Sequence, residues 1–355
     1  MKIILHADWL KKIWISIISV IIGLVVACLC IWCIGINPVE AMHTFLLTFS
    51  GDLYGISEIF VKALPLMLTG MSYAFASRCG LVNIGAEGQL VMGALFSTLV
   101  GVYVKGLPAA VHIPFTIFAG FVGGGLLGVV AGLLKTRFGV LEVLSTIMLN
   151  YVAQYIVSFM ATGPLKEGYL PQSPEFLPTA RMPNILPMTR LHAGILVGLL
   201  AVLVFYILIN RTTFGFRIRA VGDNPYCAHY AGMHVNRNIV WAMFVAGGFA
   251  GLAGCLELQG VLGRLYEVFS PGWGWDGISV GLLGNSTPIG VLISSLLLGF
   301  IRSGVNSMQR SIGVPIGIVY VIQAVIIICI LCRDYKPSIL KRSVWTKITK
   351  GNKAI

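Results

Sequence analysis

From residue 112 to residue 134 the chain reads HIPFTIFAGFVGGGLLGVVAGLL, without a single Asp, Glu, Lys or Arg, and basic residues follow at Lys135 and Arg137. A transmembrane helix needs about 20 mostly apolar residues to cross roughly 30 Å of hydrocarbon at about 1.5 Å per residue. This run is therefore long enough to cross a membrane once. Similar runs recur along the chain between short polar or basic segments. The pattern predicts an all-α polytopic membrane protein.

The composition is that of a membrane protein. Of the 355 residues, 57% are hydrophobic and only 11% are charged, and the mean hydropathy is +0.89. An ordinary soluble domain carries about 25% charged residues. The net charge of +12 is concentrated at the two ends of the chain and in a few connecting loops, as in the cytoplasmic segments of membrane proteins. We expect cytoplasmic termini, an even number of spans and no nucleic-acid partner.

The apolar runs predict about ten spans in one transmembrane domain, residues 13–332, between a cytoplasmic tail at 1–12 and a basic cytoplasmic tail at 333–355. The predicted spans cover residues 13–36, 59–76, 84–104, 112–134, 140–161, 191–210, 239–256, 275–283, 289–301 and 314–332. If the two short runs, 275–283 and 289–301, form a re-entrant hairpin, the count falls to eight. Both termini then remain on the same side.

Two further patterns refine this fold. Residues 163–190 contain six prolines, which exclude a regular helix and predict an external loop, because irregular backbone cannot face lipid. Glycines repeat every fourth residue at Gly124, Gly128 and Gly132, and again at Gly247 and Gly251. Small residues at this spacing allow membrane helices to approach closely, so we expect a tight bundle.

Metal and redox chemistry are not indicated. The pairs Cys30/Cys33 and Cys329/Cys332 have CxxC spacing but lie in or at the end of apolar runs, where helix packing is the better interpretation. No HExxH motif occurs, and the six histidines are scattered. We expect no metal site and no catalytic residue.

Two stretches are too polar for plain helix packing. In residues 80–89, GLVNIGAEGQ, the side chains of Asn83, Glu87 and Gln89 precede or enter an apolar run. Polar groups at membrane depth usually face a cavity or a partner, although an interfacial loop or mutual hydrogen bonding would also explain them. The second stretch lies in the predicted cytoplasmic loop 211–237. There Asp223 or Asn224 can cap a short helix over residues 226–231 that ends at Gly232.

These stretches resemble the permease subunits of bacterial ABC-type nucleoside importers, within the simple-sugar and branched-chain amino-acid permeases. The similarity extends from about residue 64 to residue 330. The matching runs, in order, are Asn83–Gln89, Glu142–Tyr151, Arg219–Pro225, Ala231–Gly232 and Ser270–Gly277. The chain departs from the usual pattern at Trp273 and Trp275 and at residues 285–288.

The resemblance implies a subunit of the bacterial inner membrane that pairs with a second, homologous permease, more often a distinct protein than an identical copy. An external substrate-binding lipoprotein delivers the solute. A separate ATPase binds ATP, and the chain contains no GxxxxGK[ST] phosphate loop of its own. The residues that the resemblance assigns to ATPase coupling are Gly222, Asp223, Asn224, Pro225, Ala228, Ala231 and Gly232.

Passage of a nucleoside requires polar side chains that exchange hydrogen bonds with the ribose and the base. By depth and residue type, the candidates for the translocation path are Asn83, Glu87, Gln89, Asn150 and Gln154. A simple sugar or sugar derivative is the alternative solute within the same family. An ion-coupled secondary carrier is the alternative of another class, because such carriers contain broken helices near the middle of the membrane.

Overall fold

The computed structural model describes residue 18 and residues 21–48, 53–315 and 317–334. In these ranges the regular structure is helical, and β-structure is confined to two isolated bridges. The predicted tail at 1–12 lies outside the described residues, as do residues 335–355 of the predicted tail at 333–355. Residues 333 and 334 belong to the last helix. The helices are α1 (Ile21–Cys33), α2 (Pro38–Leu47), α3 (Leu53–Ser77), α4 (Ala86–Tyr103), α5 (Ala109–Phe138), α6 (Glu142–Thr162), α7 (Gly194–Arg211), α8 (Thr213–Asp223), α9 (Pro225–Tyr230), α10 (Val235–Glu257), α11 (Trp273–Leu283), α12 (Pro288–Ile312) and α13 (Gly317–Asp334).

The predicted all-α membrane fold is confirmed. Six helices in the described part of the chain are long and apolar enough to cross a membrane: α3, α5, α6, α7, α10 together with a π-turn at Leu258–Leu262, and α12. The total number of spans and the side on which the termini lie remain predictions.

The two short predicted spans, 275–283 and 289–301, correspond to two helices of very different length. Helix α11 has 11 residues, about 16 Å at 1.5 Å per residue, and is too short to cross a bilayer alone. Helix α12 has 25 residues and continues well beyond Ile301, where its apolar run stops. It continues because the guanidinium of Arg302, the charge at which the apolar run stops, is paired with the carboxylate of Asp276 inside the protein.

Helix α3 is the central helix of the bundle. Its side chains are almost all buried from Val61 to Ala76, and it packs against α7, α10, α11 and α12. A helix buried on all sides is expected to be apolar all round. Lys62 interrupts this pattern.

Helices α5 and α10 pack through their glycines, in agreement with the close helix packing expected from the glycine spacing. A Cβ atom added at Gly124 would overlap the carbonyl oxygen of Gly247, and one added at Gly251 would overlap that of Gly120. The same holds at Gly128, where the carbonyl oxygen of Met243 lies against the helix. The two backbones are therefore in direct contact along this seam.

The proline-rich segment 163–190 has no regular α-helix, as predicted, and contains only a 3₁₀ turn at Pro178–Ala180. Backbone hydrogen bonds join it to the residues that follow α10: Ser173 N donates to Leu265 O at 2.8 Å, and Met182 N donates to Gln259 O at 3.1 Å. These bonds satisfy backbone groups that irregular structure would otherwise leave unpaired. The segment therefore covers the end of α10 that carries Glu257.

Candidate functional site

The predicted short helix in loop 211–237 is present as α9, and the prediction of its cap is confirmed. The side-chain oxygen of Asn224 accepts from Tyr226 N at 3.0 Å and Cys227 N at 3.1 Å. Pro225 occupies the first turn, where its missing N–H costs nothing. Gly232 follows the helix with φ +80°, which favours glycine. Helix α8, which the sequence analysis treated as loop, precedes α9.

Helices α8 and α9 present aromatic side chains away from the protein. Tyr226 is 79% exposed, Tyr230 is 91% exposed and Phe216 is 57% exposed. On the opposite side of α9, Ala228 is buried against the bundle. We call the three exposed aromatic residues the α8–α9 surface. Exposed aromatic side chains on a capped helix are well suited to contact another protein.

The end of α8 touches the turn that follows α3. A Cβ at Gly222 would overlap the carbonyl oxygen of Arg78, and Gly80, with φ +73°, lies against the backbone of Gly222. Arg78 Nε donates to Ser286 O at 2.8 Å, in the turn between α11 and α12. The α8–α9 unit is therefore in contact with the turn after α3, and that turn is bonded to the turn between α11 and α12.

Beyond this turn, the predicted residues Asn83 and Gln89 form a hydrogen-bonded cluster with Ser72, here called the Asn83 cluster (Ser72, Asn83 and Gln89). Asn83 Nδ2 donates to Gln89 Oε1 at 2.9 Å and to Ser72 Oγ at 3.0 Å. Asn83 Oδ1 accepts from Gly85 N at 3.0 Å. All three side chains are 0–1% exposed. The cluster fixes the bend that leads into α4.

Two further predicted residues connect the start of α4 to other helices. Asn150 on α6 accepts from Gly88 N at 2.8 Å and donates to Ile84 O at 3.0 Å. Glu87 Oε2 accepts from Gly274 N at 2.6 Å, at the first turn of α11. Asn83, Glu87, Gln89 and Asn150 are thus brought together, but each is bonded within the protein. Gln154 lies apart, exposed on α6.

Sequence reasoning missed a second polar group on α3, α10, α11 and α12. Glu58 is 4% exposed and pairs with Arg190 at 2.7 Å, and Asp276 pairs with Arg302. Lys62 interacts electrostatically with Glu257, Arg190 and Glu58. The available signal was a charge inside or directly beside an apolar run, as at Lys62 in the predicted span 59–76.

A cavity of about 320 Å³ lies beside this group. Its lining residues are Arg181, Met182, Asn184, Arg190, Gln259, Gly260, Val261 and Gly263. It is bounded by the proline-rich segment on one side and the π-turn after α10 on the other. Among the described residues no set of three or more His, Cys, Asp or Glu side chains could hold a metal ion.

Comparison with known proteins identifies the family. Residues 55–331 match the family described as branched-chain amino acid transport system / permease component. The chain belongs to this family. The guanosine ABC transporter permease protein NupP of Bacillus subtilis is 36% identical over 90% of this chain and 93% of its own length. The nucleoside ABC transporter permease protein NupB of Lactococcus lactis is 30% identical over 97% and 99%.

Relatives with another named solute also match this permease. The glucose ABC transporter permease protein TsgB13 of Haloferax volcanii is 31% identical over 90% of this chain and 87% of its own length.

A second guanosine permease from B. subtilis also matches. This protein, NupQ, is 26% identical over 68% of this chain and 79% of its own length. No solved structure matches the chain. The protein is a multi-pass membrane protein and the permease component of an ABC transporter.

Proposed function

We propose that this permease is the membrane-spanning subunit of an ATP-driven importer that takes up nucleosides. The observation that carries the proposal is the similarity to NupP and NupB over nearly the whole of each chain. The family match over residues 55–331 includes every polar stretch described above. ATP hydrolysis belongs to a separate subunit, and no group in this chain acts as a catalyst.

The α8–α9 surface is the proposed docking site of the ATPase. Its support is geometric: a capped helix with two largely exposed tyrosines, built on a loop flanked by arginines. The coupling residues of the sequence analysis lie in α9, its cap and the residues on either side of it. The backbone contact between Gly222 and Arg78 would carry a displacement of this unit to the turn before the Asn83 cluster.

The translocation path is proposed to run beside the start of α4, where Asn83, Glu87, Gln89 and Asn150 meet. In this conformation their polar groups bond to one another or to backbone, so a solute would have to exchange with these bonds during transport. Gln154 would reach the path only if another subunit packs on the exposed side of α6.

The assembly proposed for the cell consists of this chain, a second homologous permease, the ATPase and an external substrate-binding lipoprotein. B. subtilis has two matching guanosine permeases, NupP and NupQ, which favours a distinct partner over an identical copy. The proposal also places the protein in the bacterial inner membrane. There it has about ten spans in a single domain, with both termini in the cytoplasm and the 163–190 loop outside.

Reconstitution in liposomes tests it. The four-component assembly is expected to hydrolyse ATP faster and to accumulate radiolabelled guanosine when the lipoprotein is present, and this chain alone is expected to do neither. Uptake by the isolated chain along an ion gradient would show that the protein is a secondary carrier and not a subunit of an ATP-driven importer. Because TsgB13 is named for glucose, labelled glucose is tested in parallel, and uptake of glucose without guanosine would move the solute class to sugars.

A further inference from the structure

The 320 Å³ cavity lies at the end of α10 that is farthest from α9. One of its walls is formed by Gln259, Gly260 and Val261 of the π-turn that follows this helix. Helix and π-turn together, from Val235 to Leu262, are long and apolar enough to cross a membrane. The α8–α9 surface and the cavity therefore lie at opposite ends of this span. Because the ATPase is proposed to dock at the former, the cavity faces the outside, where an importer meets its solute.

The π-turn and the proline-rich segment are bonded to each other beside the cavity. Gly263 N donates to Leu258 O at 2.8 Å, which closes the π-turn. Met182 N donates to Gln259 O at 3.1 Å, and Gln259 Nε2 donates to Ala180 O at 3.0 Å. These bonds hold the two walls of the cavity together. Single π-turns are rare and frequently occur at functional sites.

Two arginines of the other wall keep N–H groups for a ligand. Arg190 donates to Glu58 through Nε and Nη2, at 2.9 and 2.7 Å. Arg181 Nη2 is paired with Glu175 at 3.0 Å. A guanidinium has more N–H donors than these bonds use, and the Nη1 groups of both side chains make no bond within the described residues. Since each arginine is already paired with a carboxylate, the cavity offers donors without an excess of positive charge.

An amide and two apolar side chains complete the lining. Asn184 carries a carbonyl acceptor as well as N–H donors, and its side chain has no hydrogen-bond partner in the described part of the chain. Met182 and Val261 line the same space. Guanidinium groups also stack on flat aromatic rings. The lining therefore suits a flat ring, whose faces need apolar or guanidinium contacts and whose edges need donors and acceptors.

We propose that this cavity is an external binding site for the base of the solute, a flat heterocycle carried on an uncharged molecule. Its volume of about 320 Å³ lies within the range of about 300–1,000 Å³ that holds small ligands. The amide of Asn184 bonds to the edge of the base, and the free N–H groups of Arg181 and Arg190 donate to its ring nitrogens or carbonyl oxygens. A nucleoside has this chemistry. Glu58 and Glu175 leave no unpaired positive charge for a phosphate group.

The inference rests on the proposed import function, in which the site receives the solute before it enters the path beside α4. The test measures binding of radiolabelled guanosine to this chain, assembled with the second permease and the ATPase in nanodiscs. ATP is omitted, and so is the lipoprotein, because it would bind guanosine itself. In the same assay unlabelled guanosine should compete for the site and glucose should not.

Two variants change the cavity in different ways. Asn184→Leu removes the amide with little change in size and is expected to raise the Kd about 3- to 10-fold, as for the loss of a neutral hydrogen bond. Val261→Phe fills the space and is expected to abolish binding. The matched control is Asn236→Leu, at an exposed position in the first turn of α10, and it should leave the Kd unchanged.

Guanosine uptake by the unaltered assembly with the lipoprotein, measured in parallel, separates the two proposals. If no guanosine is taken up, the import function fails, and the inference fails with it. If uptake is normal but the assembly binds no guanosine without the lipoprotein, the inference alone is overturned. An unchanged Kd in both cavity variants would also overturn it, as would competition by glucose as strong as that by guanosine.

Photolabelling keeps the inference testable if Val261→Phe does not assemble. The unaltered assembly is irradiated with a photoreactive azido derivative of guanosine, and the labelled peptides are identified by mass spectrometry. Labels within residues 181–190 or 259–263 that guanosine displaces would support the site. Labels confined to other parts of the chain would overturn it.

Discussion

The carboxylate of Glu87 accepts a hydrogen bond from the backbone N–H of Gly274, with 2.6 Å between oxygen and nitrogen. The two residues are 187 positions apart in the chain. The bond fastens the first turn of α4 to the first turn of α11, where a helix has unpaired N–H groups and a positive dipole end. The bond thereby holds the first turn of the short helix α11 in place.

Replacement of Glu87 by Ala should leave the N–H of Gly274 unpaired in a buried position. The expected loss is about 1–3 kcal/mol in the free energy of unfolding, seen as a lower Tm of the purified protein. Glu87→Gln keeps a carbonyl acceptor and should lose less. Glu40→Gln, at an exposed position on α2, serves as the control. An unchanged Tm for Glu87→Ala would contradict the fastening role.

The α8–α9 surface makes a prediction about the ATPase. Tyr230→Ala should weaken binding of the ATPase by about tenfold or more, because exposed aromatic residues often dominate the binding energy of interfaces. Titration of the ATPase into nanodiscs that contain the permeases measures this affinity. Tyr169→Ala is the matched control, since Tyr169 is fully exposed in the segment proposed to be external. Equal affinity for both variants would remove this surface from the docking site.

The glycine seam between α5 and α10 predicts a severe effect of added bulk. Gly124→Leu places a side chain where the backbone of α10 lies, and overpacking of this kind costs about 1–3 kcal/mol or more. Val130→Leu, on an exposed side of the same helix, should have little effect. Thermal unfolding in detergent compares them. Similar Tm values would mean that the two helices can separate without cost.

Burial lowers the pKa of His192 to about 4 from its usual 6.5. The ring accepts a hydrogen bond from Gly194 N at 3.1 Å and lies against Gly260. Between these two pH values the unfolded state binds the proton and the folded state does not. The contribution of His192 to the free energy of unfolding is therefore complete above pH 6.5 and is lost as the pH falls toward 4. From pH 7 to pH 5 the loss is about 2 kcal/mol.

This pH effect should appear as faster amide hydrogen exchange in residues 163–193 at pH 5, after correction for the intrinsic rate. His192→Gln stays neutral at every pH and should abolish the difference. A pH dependence that persists in this variant would assign the effect to other groups.

Local signals in the sequence predicted local structure well. The cap at Asn224, the proline after it and Gly232 together defined α9 to within one residue at each end, because the bonds involved span two or three positions. Prolines likewise defined the irregular segment 163–190. The glycine spacing predicted a close packing but could not say that α5 and α10 are the partners.

The buried polar groups were less predictable, for a physical reason. Glu87 was selected from its depth, but its partner Gly274 has no side chain and cannot be recognised in a sequence. In the sequence Arg302 ends an apolar run, because its neutralising partner Asp276 lies on another helix. Lys62 lies inside the predicted span 59–76, and its foremost electrostatic partner, Glu257, lies on α10. In each case the polar group is stabilised by a partner on another helix. Such a partner can be recognised only once the helices have been placed next to one another.

The glycine seam between α5 and α10 also restricts how the helices of this permease can move. Where two helices touch backbone to backbone, neither can slide by a turn or roll past the other without atoms overlapping. We therefore expect helices α5 and α10 to move as one rigid unit during transport. Backbones also meet between α10 and α4, where Gly254 lies against the carbonyl oxygen of Leu90. We therefore expect the displacement that opens and closes a passage to occur at the contacts that side chains alone make.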